Sequence, residues 1–321
     1  MAIAIPSSTI QDRIDLVEER LQAQATAENA EVREALNLLL ASGGKRVRPM
    51  VTILAGSLFG AEQDRVVTLA AAIELLHTAT LVHDDLIDGS LLRRGHATLN
   101  SRWSPAATVL TGDYIFAAAA NLAAETGSVE VMRLFAQTLT IIVNGEINQL
   151  LDNHKAPNMD VYLKRIHAKT ASMFELAMRA AAVLGPVDEK VYDHAQKIGY
   201  DIGIAFQIVD DVLDFTGQQT TVGKPVASDL RNGLITLPAL YYFEQNPTDP
   251  AVLELITHAS VPLDDMESLI ESIRGSGAVD LAMEDARRYV DRAIQALEVF
   301  PQTQERQELE DLAVYFVDRI R

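Results

Sequence analysis

The segment that most constrains this chain runs from about Gln63 to Asp88. It is apolar almost all round through Leu69–Leu76, and a helix without a polar face belongs in the centre of a bundle. Glu74 and His77 interrupt the apolar run from Val66 to Val82, so it reads as a buried helix and not as a membrane span. Its end is Leu81-Val82-His83-Asp84-Asp85-Leu86-Ile87-Asp88, and a near-copy follows as Ile208-Val209-Asp210-Asp211-Val212-Leu213-Asp214. Residues four apart share a helix face, so Asp84 can point with Asp88 and Asp210 with Asp214. Carboxylates on apolar helices are costly unless something cationic sits between them. Two such clusters facing one cavity would hold hard divalent ions, and Mg²⁺ held by few carboxylates completes its shell with substrate phosphate.

Nearly every other segment also has helical periodicity, with Ala and Leu abundant and β-branched alternation rare. The spacing predicts a helix from Thr9, a second from Glu31 stopping at Gly43-Gly44, and a third from Val47 to Phe59. Ser104-Pro105 starts another, and Gly127-Ser128 turns into the next. Asp152 to Asn158 is a loop; two helices then lead to Gly185-Pro186, and a long one from Asp188 carries the second aspartates to Phe215. Thr216 to Ser228 reads as a polar loop, and Asp229 to Gln245 as a helix kinked at Pro238. Smaller helices, broken at Pro262, Gly275–Gly277 and Pro301, complete an all-α fold: one large helical bundle in a single domain, 1–321, with no convincing strand.

The formal net charge of −18 makes a poor polyanion binder, which argues against nucleic acid as a partner. The chain has no cysteine, which removes disulfides, thiol nucleophiles and zinc-thiolate sites. The apolar start, Met1 to Pro6, lacks basic flanks and is too short for a signal peptide, so a soluble cytoplasmic protein is expected.

The cations of so acidic a chain then matter. Gly43-Gly44-Lys45-Arg46-Val47-Arg48-Pro49 gathers three at a helix start, where backbone N–H groups are also available to a phosphate. Arg93-Arg94-Gly95 follows the first aspartates, and Lys169-Thr170 and Lys224 lie near the second in chain order. Ordinary surface charge explains any one of these and fits the set poorly. Asp264-Asp265 is different, because acid at a helix start suits the dipole and Ser268 stands where a third aspartate would be needed.

Taken together and in order, these motifs resemble the trans-isoprenyl diphosphate synthases nearly end to end. The carriers are Gly43 to Pro49, His77 to Asp88, Arg93-Arg94-Gly95, Gly112-Asp113-Tyr114, Lys169-Thr170, Phe206 to Asp214, Gly223-Lys224-Pro225 and Asp229-Leu230. The resemblance implies a helical bundle around a deep central cavity, of the isoprenoid synthase type, and a homodimer. It implies condensation of an allylic diphosphate primer with isopentenyl diphosphate. Asp84, Asp88 and Asp210 would ligate three Mg²⁺ ions holding the allylic diphosphate, with Asp85 and Asp214 supporting; Asp211 completes the second cluster. Lys169, Gln207 and Lys224 would hold the same diphosphate, assisted by Thr170 and Arg93. Lys45, Arg48, His77 and Arg94 would bind isopentenyl diphosphate. One departure stands out: many members carry Lys where this chain has Leu234, so one cation near the allylic diphosphate is missing.

No nucleophilic triad is needed for such chemistry. Cations stabilise charge on the departing diphosphate, and apolar walls keep water from the carbocation. Product length then becomes a packing question. Ala79 and Thr80 lie one turn below Asp84, Leu76 and Ile73 lie deeper, and Phe135 is a candidate floor. The small Ala79 lets a growing chain pass, so a product longer than C20 is expected, roughly C30 to C40, itself a candidate for membrane association. Three alternatives compete: a C20 geranylgeranyl diphosphate synthase, a class I terpene cyclase and a non-catalytic subunit of a heteromeric synthase. A cyclase has no use for a second aspartate cluster or for the Lys45–Arg48 start. A silent subunit would be expected to lose aspartates, and both clusters are intact.

Overall fold

The computed structural model describes residues 8–41, 44–93, 95–151, 158–217, 226–258 and 262–318. Two compact units emerge, each built from separate stretches of chain: 1–140, 173–199 and 296–311 in one, and 141–172, 200–295 and 312–321 in the other.

The first unit holds α1 (Ser8–Gln22), α2 (Ala30–Ala41), α3 (Val47–Leu58), α4 (Gln63–Ile87) and α5 (Pro105–Glu125). Thr9 therefore lies inside α1. The Glu62 side chain caps α4 by accepting from the Asp64 N–H, and Leu69, Ala70, Ala71, Ala72 and Ile73 have no solvent exposure. Burial on every side is what the run's composition requires, and each Leu or Ile so placed contributes about 1.5–3 kcal/mol. By length and composition α4 and α5 could each cross a membrane, but 72% of the most apolar stretch of α4 is buried, as in a core helix. Ser104 caps α5, accepting from the Ala107 N–H at 3.3 Å, with Pro105 in the first turn as expected.

α4 and α5 pack closely because Gly112 leaves a notch on α5. The His83 ring fills that notch: a Cβ on residue 112 would stand 2.2 Å from the ring's Cε1. Gly112→Ala should therefore expel the ring and destabilise the fold by about 1–3 kcal/mol, measured by denaturant unfolding. Adding His83→Ala to that variant should recover part of the loss, since the new methyl then enters vacated space.

Between α4 and α5, Leu92–Arg93 (β1) pairs antiparallel with His96–Ala97 (β2) around Gly95, whose φ is 80°. Strands of two residues carry no readable alternation, so this ladder corrects the strand-free expectation.

The second unit holds the end of α6 (Val129–Leu151), then α7 (Met159–Ile166) and a π-helical turn at His167–Ala171; the turn leads into α8 (Ser172–Leu184), which from Met173 onward belongs to the first unit. The two predicted helices are thus one run with a π turn inside it. Gly145 permits this bulge, since a Cβ there would stand 2.5 Å from the Cβ of Ala168. α9 (Lys190–Thr216) follows, in the second unit from Tyr200, then α10 (Ser228–Arg231), α11 (Leu237–Gln245), α12 (Pro250–His258), α13 (Leu263–Gly275), α14 (Ala278–Leu297) and α15 (Gln304–Asp318), of which 304–311 belong to the first unit and 312–318 to the second. Phe215, Leu230, Phe243, Leu255, Ile270 and Ile273 form a core in this unit. The kink expected at Pro238 is instead a break: Gly233 takes φ 78°, and Pro238 sits in the first turn of α11. Asp264 and Asp265 are exposed in the first turn of α13, in keeping with their reading as helix-start acid.

Candidate active site

In the first unit the end of α4 sorts its aspartates by environment. Asp84 is half-buried and Asp88, the C-cap, is exposed. Asp85 is only 7% exposed, and its Oδ1 accepts from Arg93 Nε at 2.8 Å. Desolvation raises the Asp85 pKa; Arg93 opposes this, while Asp84 and Asp88 push further in the same direction. Arg93 is brought there by its β-ladder, which Thr98 secures by donating to the Ser90 carbonyl at 2.7 Å. His83 is held by contact of Nδ1 with the Ala79 carbonyl at 3.0 Å, and its ring stacks on Phe116 with centroids 5.1 Å apart. Its Nε2 lies 3.4 Å from Asp113 Oδ1, which explains the Gly112-Asp113 pair physically.

The three cations around the start of α3 separate into different tasks. Arg46 takes a left-handed conformation, φ 45°, which a non-glycine residue adopts only when its surroundings hold it. Its guanidinium supplies the hold: it donates to Glu74 Oε1 at 2.8 Å, to the Leu40 carbonyl at 2.9 Å and to both carboxylate oxygens of Glu18. Burial would lower the Arg46 pKa, yet bonding to Glu18 and Glu74 outweighs it and the net direction is upward. Arg46 thus ties the fold together. Lys45 is exposed, Arg48 and His77 are half-buried, and the Arg48 guanidinium lies 5.3 Å from the Phe174 ring centroid.

Ile73, Leu76 and Ala79 are completely buried along α4. The Thr80 hydroxyl donates back to the His77 carbonyl at 2.7 Å, and Phe135 on α6 is buried. Two grooves on this unit, of about 610 and 700 Å³, border neither the aspartates nor these residues.

In the second unit Asp210 is half-buried on α9. Its neighbour Asp211 is 3% exposed and receives two hydrogen bonds, from Tyr162 Oη at 2.7 Å and Gln207 Nε2 at 2.8 Å. Desolvation pushes the Asp211 pKa up to about 7 against the pull of those two donors. Burial, followed by the charge of Asp211, raises the Tyr162 pKa well above its ordinary value. Asp214 accepts from the Ser228 N–H and Oγ and from the Asp229 N–H, each at 3.1 Å. It so caps α10, where Ala227 is left-handed at φ 53°. The two non-glycine residues with positive φ among the described residues, Arg46 and Ala227, both stand next to the motifs read as phosphate-binding.

Lys169, inside the π turn, pairs with Glu146 at 3.1 Å, and Thr170 Oγ1 donates to Gln207 Oε1 at 2.6 Å. Leu234 is half-buried, its N–H donating to the Asp229 carbonyl at 2.8 Å. Gly43, Arg94, Gly223 and Lys224 lie outside the described residues. Tyr162 and Glu146 were not legible as site residues. Tyr162 stands seven positions before Lys169, on the same helical run, and that spacing is its one sequence signal.

The donor sets suit a hard divalent cation. Each unit offers carboxylate oxygens and no soft ligand, and among the described residues no three acidic or histidine side chains form a closed cage. An ion bound by one or two carboxylates and completed by substrate phosphate is what Mg²⁺ prefers.

Comparison with known proteins is consistent with this arrangement. The family model described as polyprenyl synthetase matches residues 29–273. Heptaprenyl diphosphate synthase component 2 of Geobacillus stearothermophilus is 34% identical over 313 residues, covering 97% of this chain and 97% of that protein. Octaprenyl diphosphate synthase of Escherichia coli (strain K12) is 35% identical over 285 residues, 88% of each chain. The crystal structure of a polyprenyl synthase from Caulobacter crescentus CB15, complexed with calcium and isoprenyl diphosphate, matches with TM-score 0.90 at 37% identity, covering 98% of this chain and 96% of that one. The chain belongs to the polyprenyl synthetase family and is a prenyltransferase.

Proposed function

We propose that this enzyme adds isopentenyl diphosphate units to an allylic diphosphate primer and releases an all-trans polyprenyl diphosphate of roughly C30 to C40. The observation that carries this reading is the division of labour inside each aspartate cluster. Asp85 and Asp211 are buried, whereas Asp84 and Asp210 keep part of their surface open to solvent and Asp88 is exposed. Asp84, Asp88 and Asp210 would then hold Mg²⁺, three ions in all, on the allylic diphosphate. Bound ions supply neutralisation of the charge that builds on the departing diphosphate.

Lys169, Gln207 and Lys224 grip the same diphosphate, with Thr170 and Arg93 assisting. Lys45, Arg48, His77 and Arg94 hold isopentenyl diphosphate. The apolar residues of α4 keep water from the carbocation, and the released diphosphate takes the proton lost after condensation. The small side chain of Ala79 supports the longer product, as do the heptaprenyl and octaprenyl products named for the relatives. We also read the chain as one catalytic domain, because the family match runs without a break through stretches of both units. The burial of α4 supports a soluble, cytoplasmic enzyme. A homodimer is supported by α5, whose most apolar stretch is only 39% buried and on which Leu110 is 68% exposed.

The Geobacillus relative is named as component 2 of its synthase, which favours a second reading in which a partner chain completes the enzyme. One assay separates the two. The purified chain with farnesyl diphosphate, isopentenyl diphosphate and Mg²⁺ should condense them unaided, and omitting isopentenyl diphosphate should abolish turnover. Inactivity of the chain alone would favour the partner-dependent reading. Turnover of farnesyl diphosphate by itself would mark a cyclase.

A further inference from the structure

Tyr162 is 1% exposed, yet its hydroxyl is engaged by a carboxylate and not by backbone. The ring is fixed on its other side by Arg165, whose guanidinium lies 5.6 Å from the ring centroid and donates to the Ile235 carbonyl at 2.6 Å. A continuous chain of hydrogen bonds then runs from Tyr162 Oη to Asp211 Oδ2, from Gln207 Nε2 to Asp211 Oδ1, and from Thr170 Oγ1 to Gln207 Oε1. Every member belongs to the second unit.

The direction of this chain has a chemical consequence. Tyr162 donates to Asp211 Oδ2, and the Gln207 amide turns its NH₂ toward Asp211 Oδ1 and its oxygen toward the Thr170 hydroxyl. One Gln207 N–H is left over. A diphosphate oxygen is also an acceptor, so that N–H is the group a diphosphate needs. The reversed amide would present lone pairs instead.

We propose that Tyr162 is a positioning residue for the second aspartate cluster: its hydroxyl locks the Asp211 carboxylate, Asp211 sets the polarity of the Gln207 amide, and Gln207 offers its remaining N–H to the allylic diphosphate. This rests on the reading that Gln207 holds that diphosphate. Loss of the hydroxyl unlocks one oxygen of a buried carboxylate, which is then able to turn away from Gln207.

The test is the KM for farnesyl diphosphate at saturating isopentenyl diphosphate and Mg²⁺, in a double-mutant cycle. Tyr162→Phe keeps the ring under Arg165 and should raise that KM about tenfold, the effect of one such hydrogen bond. The KM for isopentenyl diphosphate should change less than about twofold. In a Gln207→Ala background, Tyr162→Phe should add almost nothing, because its route to the substrate is gone. Asp211→Leu, which exchanges a buried charge for a near-isosteric apolar group, should fold and should match the Tyr162→Phe effect on KM. An unchanged KM in Tyr162→Phe or in Asp211→Leu overturns the proposal, as does an equal effect of Tyr162→Phe in both backgrounds. If Gln207→Ala itself leaves the KM unchanged, the assignment of Gln207 to the allylic diphosphate fails, and the proposal fails with it.

Discussion

Asp84→Ala should lower kcat/KM by about 10³-fold or more while leaving the folded state intact, because it removes a group expected to act only as charge builds on the leaving diphosphate. Asp84 is half-buried at the end of a helix whose apolar body lies deep in its unit, so truncation costs little packing. Asp85→Ala should behave differently. It leaves Arg93 without its partner at a site only 7% exposed, so its loss of activity should come with a loss of stability. Steady-state kinetics paired with thermal unfolding read both numbers. A fall of less than about tenfold for Asp84→Ala would remove it from the set of ion-holding residues.

Ala79→Tyr should shorten the product to C20 or below. Ala79 has no exposed surface and lies five residues, about 1.4 turns, before Asp84 on α4. Two fates are open to an added phenol ring there. If Ala79 borders the channel that receives the growing chain, the ring becomes its new floor and the enzyme stays folded with a shorter product. If Ala79 packs only against other side chains, the ring overfills the core at a cost of about 1–3 kcal/mol and product length does not move. Chromatography of the dephosphorylated products, with an unfolding curve on the same sample, separates these outcomes. A folded variant with unchanged product length would refute the chain-length role of Ala79.

The parts of the fold legible in the sequence were those that periodicity or a strong terminator encodes. α4 was readable because its residues are apolar all round, and α5 because Ser104 and Pro105 mark its start. The π turn at His167–Ala171 was not, since it is made by the close approach of Gly145 and Ala168, which are distant in sequence. The break before Pro238 was hidden for a related reason. Proline permits both a kink and a helix start, and the choice falls to Gly233 and to Asp214, which caps the short α10.

Within the candidate site, the aspartates were legible as a spacing, but their separate tasks were not. Arg46 illustrates the limit: in sequence it is one of three adjacent cations, and only the folded chain shows its guanidinium taken by Glu18, Glu74 and the Leu40 carbonyl. Tyr162 gives the complementary case, an aromatic residue whose role depends on a carboxylate 49 residues away.

The central claim is that this chain elongates an allylic diphosphate well past C20, and the size distribution of its products tests it most directly. Purified enzyme, farnesyl diphosphate, excess isopentenyl diphosphate and Mg²⁺ should yield a distribution centred at roughly C30 to C40 that vanishes when the divalent ion is chelated. Accumulation at C20 would contradict the account of Ala79 and make the enzyme a geranylgeranyl diphosphate synthase, and condensation that persists without divalent ions would contradict the account of its aspartates.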